Sequence, residues 1–203
     1  MSLDGRLSIT QGNMKMGRGK HAPHSISLPP GRTCAPGVPC LQDCYARKSM
    51  YRLYHNVRTA WDHNLSIWQR TPGRFEQVVT GHVAQHRPHF FRWHIGGDIP
   101  DLLYLEMMAR VAANVPNTKF LCFTKRHDFA LVFADRLPQN LQLVLSMWPG
   151  FGDVDATFPR AWMQDGTEDR VPNNVLECPG CCEQCGMCWH LSQLGRDVYF
   201  HKH

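Results

Sequence analysis

The sequence predicts an α/β protein whose parallel sheet curls into a partial or closed β/α barrel. Two observations lead there. The apolar runs HFFRWHI (89–95), TKFLCFTK (118–125) and LQLVLSMW (141–148) alternate with segments of helical periodicity, the pattern of βαβ units. Within those runs, FLCF and LQLVL are almost unbroken, as expected of strands buried on both faces. The count of five to seven strands favours a barrel over an open doubly wound sheet.

Taken in order, residues 1–23 are rich in Gly and Lys and read as a basic arm in loop or extended form. HSISLP (24–29) alternates and stops at Pro29-Pro30-Gly31, so it is a short strand. GRTCAPGVPC carries turn residues throughout and is a loop. From Cys44 to about Arg70, Met50, Leu53, Tyr54, Val57, Trp61, Leu65 and Trp68 recur at three- and four-residue steps, giving an amphipathic helix that ends near Pro72-Gly73. Phe75, Val78, Val79, His82 and Val83 mark a second, shorter helix. The strand 89–95 leads to a helix over 101–114, the strand 118–125 to a helix over 128–136, and the strand 141–148 to Pro149-Gly150. Segments 156–164 and 173–177 supply further strands, and VYFHKH closes as another. The chain thus divides into an arm (1–23), an α/β barrel unit (24–172) and a cysteine-rich C-terminal segment (173–203).

Composition narrows the function. With 43% apolar and 19% charged residues the chain builds a core and is neither disordered nor a coiled coil. No apolar run reaches the length of a membrane span, and the N-terminal residues lack a secretion signal, so a cytoplasmic setting with reduced thiols is expected. Charge is uneven. Residues 1–74 hold eleven Lys and Arg against three acids, and Arg47, Lys48, Arg52, Arg58, Arg70 and Arg74 fall on the first helix. Such a face either is simply solvated or meets the phosphates of a nucleic acid.

Nine cysteines in a reducing compartment are poor material for disulfides, and eight of them cluster. The first cluster is Cys34, Cys40 and Cys44, followed by Tyr45-Ala46. Three soft thiolates hold three irons of a [4Fe-4S] cubane and leave the fourth iron open, whereas a closed zinc site would need a histidine such as His21 or His24. The second cluster is Cys178, Cys181, Cys182, Cys185 and Cys188, five cysteines where one centre needs four. Cys178, Cys185 and Cys188 are expected ligands, with Cys181 or Cys182 as the fourth. Iron–sulfur and zinc suit this spacing equally well.

In a parallel α/β sheet the working face lies at the C-terminal ends of the strands. There the sequence places the first cysteines, then Gly96-Gly97-Asp98, Lys125-Arg126-His127, and Ser146-Met147-Trp148-Pro149. His94 and Cys122, inside apolar strands, read as core residues, and Trp93, Trp148 and Trp189 as core or pocket wall.

Taken together, GNMKMGRGKH, SISLPPGRTC, CYA, FFRWHIGGD, KFLCFTKR, LSMWPG, CPGCCEQCGMCW and VYFHKH resemble the phage gene product 88 family, from about residue 12 to 203. The layout is also similar to that of radical S-adenosylmethionine (SAM) enzymes. That resemblance implies a TIM-like partial barrel with an iron–sulfur cluster on Cys34, Cys40 and Cys44. It further implies Gly96, Gly97 and Asp98 at the SAM amino group, Lys125 or Arg126 at its carboxylate, and Ser146 at its ribose. The cysteine spacing, five residues and then three, departs from the usual three and then two, so SAM binding is the weaker implication. Three functions are consistent with these features: a radical-SAM-like enzyme acting on a substrate the sequence does not identify, a non-catalytic electron carrier or redox sensor, and a metal-stabilised nucleic-acid-binding protein.

Overall fold

The computed structural model describes residues 6–48, 54–148, 151, 157–163, 171–173 and 175–201. Its strands are β1 (Ile9–Gln11), β2 (His24–Ile26), β3 (Phe90–Trp93), β4 (Lys119–Thr124), β5 (Leu141–Ser146), β6 (Arg160–Met163), β7 (Leu176–Glu177) and β8 (Val198–Phe200). They form one sheet in the order β1-β2-β3-β4-β5-β6-β8-β7. Only the β1–β2 pair is antiparallel; the others run parallel. The mixed α/β class and the parallel sheet expected from the sequence are therefore present. Segments 1–23 and 173–203, read above as an arm and a tail, each contribute strands to this sheet.

Helices α1 (His55–Arg70), α2 (Pro72–His86), α3 (Leu102–Asn114) and α4 (His127–Phe133) connect the strands. Short helices α5 (Cys182–Cys185) and α6 (Leu191–Leu194) follow in the cysteine-rich segment. The first helix starts later than its periodicity suggested. Residues 45–48 form a turn in which the amides of Arg47 and Lys48 both donate to the Cys44 carbonyl, at 3.0 and 3.1 Å. Arg47 and Lys48 therefore precede the helix, while Met50, Arg52 and Leu53 lie outside the described residues. Arg58, Arg70 and Arg74 are exposed, as a solvated or phosphate-facing surface requires. The α1–α2 break falls at Thr71, with Pro72 at the first helical position, where its missing N–H costs nothing. Asp101 caps α3: one carboxylate oxygen accepts from the Tyr104 amide at 2.8 Å, and the other from Trp68 Nε1 at 3.0 Å. The helix predicted over 128–136 is α4 followed by one 3-10 turn (Ala134–Arg136).

The two sheet faces are covered differently. Phe91, Trp93, Phe120, Cys122, Leu141, Leu143 and Leu145 pack with Trp68, Phe75, Val79, Leu105, Met108 and Phe133 of the helices. The alternate residues Leu121, Val144, Ala161 and Val198 pack instead with Trp189 and Leu191, and with the half-buried Cys178, Cys182 and Cys188. The cysteine-rich segment thus covers the face that the four longer helices leave open. Trp189 Nε1 donates to the Phe91 carbonyl at 3.0 Å, and the Ser192 amide donates to Gln142 Oε1 at 2.9 Å, which pins that cover to β3 and β5. Asp197 ties β6 to β8 by accepting from the Arg160 amide, Arg160 Nε and Trp162 Nε1. Among the described residues, no helix is long and apolar enough to cross a membrane.

Candidate functional site

All nine cysteines are free thiols. Cys34, Cys40 and Cys44 sit half-buried in the loop after β2, interrupted by a 3-10 turn over Pro39–Leu41. The Gly31 amide lies 3.3 Å from Cys34 Sγ, a contact that favours a sulfur carrying negative charge. Burial pushes the Cys34 thiol up to about 11, opposed by the Gly31 amide, and the nearby Asp98, Cys40 and Cys44 add to the rise. Burial likewise raises Cys40, opposed by a hydrogen bond and positive charge from Lys125. The three thiols and Lys125 therefore share one electrostatic neighbourhood. The Lys125 ammonium also stands 5.9 Å from the Trp148 ring centre.

The glycine-rich turn after β3 is built against the segment leading to Cys34. A methyl group on Gly96 would stand 2.7 Å from the Trp61 ring, and one on Gly97, at φ +80°, would stand 2.5 Å from the Leu28 carbonyl oxygen. Ser27 Oγ accepts from the Ile95 and Gly96 amides at 3.0 and 3.4 Å. Asp98 is buried and bonded within the protein. Its Oδ1 accepts from Thr124 Oγ1 at 2.6 Å and from the Ile99 amide at 2.8 Å, while Oδ2 accepts from the Lys125 amide at 2.8 Å. Its own amide donates to Thr33 Oγ1 at 3.1 Å. Burial raises the Asp98 carboxyl against these bonds. Asp98 is thus the knot joining the first cysteine loop, the β3 turn and the end of β4. Arg126 turns away from that knot. It forms a paired contact with Asp128 at 2.8 and 3.0 Å, and its guanidinium lies 3.2 Å from the Phe129 ring centre. At the end of β5 the Ser146 carbonyl pairs with His127 Nε2 at 3.2 Å.

The second cysteine group lies against the sheet. Burial raises Cys182, and Arg92 opposes the rise while Cys178, Cys185 and Cys181 add to it. Burial pushes Cys188 up to about 12, with Cys178, Cys182 and Cys185 adding and Arg92 opposing. Cys178, Cys182 and Cys188 also belong to the apolar cluster on that face, whereas Cys181 stands at the N-cap of α5. Cys178, Cys182 and Cys185 all act on Cys188, so these four sulfurs lie near one another.

The basic arm clasps this group. The Cys182 and Glu183 amides donate to the Lys15 and Met16 carbonyls, each at 3.0 Å. The Glu183 carboxylate accepts from the Gly19 and His21 amides at 3.0 and 3.2 Å. Burial, then the positive charge of Arg92, lowers the Lys15 ammonium, with Cys178 and Cys182 opposing, and it lies 5.9 Å from the ring centre of Tyr45. Tyr45 follows Cys44, and its hydroxyl donates to the Ile95 carbonyl. Lys15 therefore stands between the two cysteine groups.

Sequence reasoning missed Arg92, Lys15, Glu183, Thr33 and Thr124. The readable signal was Arg92 itself, a lone charge inside the apolar strand FFRW. His94 and Cys122 are core residues as expected: His94 Nε2 pairs with the Tyr104 hydroxyl at 3.2 Å, and Cys122 is fully buried. In the arrangement described, no three His, Cys, Asp or Glu side chains among the described residues converge as a single metal ion requires.

The fold and site define a mostly parallel α/β protein with two groups of reduced cysteines, one at the strand ends and one on the open sheet face. The chain belongs to the gene product 88 family, whose profile matches residues 7–171 and so includes the first cysteine group but stops before the second. It is similar to the gene 88 protein of Mycobacterium phage L5, at 26% identity over 81% of this chain and 82% of that protein. No solved structure matches it.

Proposed function

We propose that this chain is an iron–sulfur protein of the host cytoplasm, built on an open partial barrel, with a [4Fe-4S] site on Cys34, Cys40 and Cys44. The observation that carries the reading is the grouping of eight free cysteines into two sets, each beside cations: Lys125 at the first, Arg92 and Lys15 at the second. Sequential strand order from β1 to β6, with the longer helices on one face, supports the barrel. Among the described residues neither cysteine group converges as a lone ion requires, so elemental analysis, and not this geometry, separates zinc from a cluster. A cubane binds each cysteine through a separate iron and so accepts wider-set sulfurs.

Cys178, Cys182, Cys185 and Cys188 would hold a second cluster or zinc. When bound, such clusters supply one-electron transfer. The chain's own residues do the rest. Gly31 donates its amide to Cys34, Lys125 offsets negative charge at Cys40, and the Asp98 knot fixes the loops around the open corner. SAM is the ligand proposed there, with the Gly96-Gly97 turn and Lys125 lining its place.

Anaerobic reconstitution, followed by iron and sulfide analysis and then by dithionite and SAM, tests the reading. Four irons per first site and release of 5′-deoxyadenosine are expected. A colourless protein with unmetallated thiols would end the iron–sulfur reading.

One observation favours a second form of the proposal, an electron carrier without SAM chemistry. Asp98 and Arg126, two of the groups expected to grip SAM, are already bonded within the protein. An intact cluster that yields no 5′-deoxyadenosine would select that form.

A further inference from the structure

The second cysteine group rests on a cation that has no acidic partner among the described residues. Arg92 lies in β3, in register with Leu121 of β4, and so faces the side covered by the cysteine-rich segment. Its guanidinium carbon lies 5.0 Å from the Phe123 ring centre. Its Nε is buried without a hydrogen-bond partner, and no carboxylate pairs with it among the described residues. Leaving such a donor unmet is costly, and leaving a half-buried charge unpaired is costlier still. A second cation, Lys15, is held at the same place because its own carbonyl receives the Cys182 amide. Four thiolates around a 2+ centre carry about two negative charges, which matches two cations.

We infer that Arg92 and Lys15 are the built-in counter-charge of the second metal site. Arg92 is a positioning residue: its charge faces the negative charge of the bound centre from the sheet side, and it ligates nothing itself. The inference rests on the reading above that this group binds a metal. It specifies that the bound centre is anionic.

The test uses the full chain with Cys34, Cys40 and Cys44 replaced by Ala, so that every metal atom counted belongs to the second site. The parent is loaded anaerobically, and iron and zinc release into excess chelator is followed by elemental analysis. Arg92→Gln is expected to release metal at least tenfold faster, Arg92→Lys at an intermediate rate, and Lys15→Gln roughly threefold faster. Arg74→Gln, on an exposed helical surface, should match the parent. Equal release by Arg92→Gln and the parent would overturn the inference while leaving the metal site standing. So would Arg92→Lys releasing metal as fast as Arg92→Gln. Should Arg92→Gln fail to fold by circular dichroism, Lys15→Gln decides: release at the parental rate overturns the inference. A parent that retains neither metal would remove both the inference and the second site it rests on.

Discussion

The two faces of the sheet are closed by different means. The helical face is sealed by large apolar side chains from four helices, with Trp93, Phe75, Tyr104 and Phe120 fully buried. The opposite face is sealed by a short segment with few apolar residues, chiefly Trp189 and Leu191, plus cysteines that are only half-buried. The lesson is that one face stands on hydrophobic burial, whereas the other needs something more than burial. On the proposed reading that something is metal ligation, which in small cysteine-rich segments contributes on the order of 10 kcal/mol.

The strongest way to break the comparison is to remove ligands. Cys182→Ser with Cys188→Ser is expected to abolish metal at the second site and to expose the amides of residues 182–194 to hydrogen exchange. Protection in α1–α3 should survive. Cys181→Ser should leave the metal content and exchange pattern nearly unchanged. If all three substitutions behave alike, the preference for Cys182 is wrong.

Next in size are the apolar anchors. Phe75→Ala on the helical face is expected to cost about 3–5 kcal/mol in denaturant unfolding, whether or not metal is present. Trp189→Ala should cost a similar amount only in the metal-loaded protein, because without metal its segment is already loose. Equal losses in both states would show that the cysteine face is held by packing alone.

The Asp98 knot comes third. Asp98→Ala strands the Thr124 hydroxyl and the Ile99 and Lys125 amides, a loss of about 3 kcal/mol by analogy with other buried polar groups. Asp98→Asn should lose less, since it keeps the acceptor at one oxygen. Denaturant midpoints measure both.

The smallest effect concerns the edge of the helical face, where His24 of β2 meets His82 and His86 of α2. His24 Nδ1 lies 2.8 Å from His82 Nε2, and the His82 and His86 rings stack at 4.1 Å. Burial first, then the charges of His86 and His24, push His82 down to about 4; burial and His86 lower His24. Both histidines are thus held neutral in the folded protein. The unfolded chain takes up their protons near pH 6.5, so their contribution is present above that pH and is lost as pH falls toward 4. Melting temperatures between pH 7.5 and 5 should decline, and His82→Asn should flatten the decline. An unchanged slope would remove this cluster as its source.

Much of this architecture was legible because its signals are local. The strands at 90–93, 119–124 and 141–146 and the helices between them follow from periodicity and turn residues that lie close in sequence. The cysteine groups were legible as chemistry for the same reason. What escaped depends on contacts that periodicity does not encode. The strand Ile9–Gln11 exists because it pairs antiparallel with His24–Ile26, and its three residues alone carry too little pattern to announce it. Asp98 looked like a ligand for an ammonium because a carboxylate after a Gly pair suits one. Its partners Thr124, Lys125 and Thr33 come from the end of β4 and from the first cysteine loop, so its internal bonding was invisible until those segments met. The helix start was misplaced because the turn over 45–48 is set by bonds to the Cys44 carbonyl, which apolar spacing does not encode.

The clasp between Glu183 and the amides of Gly19 and His21 spans 164 and 162 positions of sequence. A ribosome adding about 5–20 residues per second makes the arm roughly ten to thirty seconds before its partner. During that interval residues 13–21 lack their contacts with residues 182 and 183, and the open sheet face lacks its cover. On the proposed reading, metal delivery to the late cysteines therefore waits until the arm and residues 178–188 first meet.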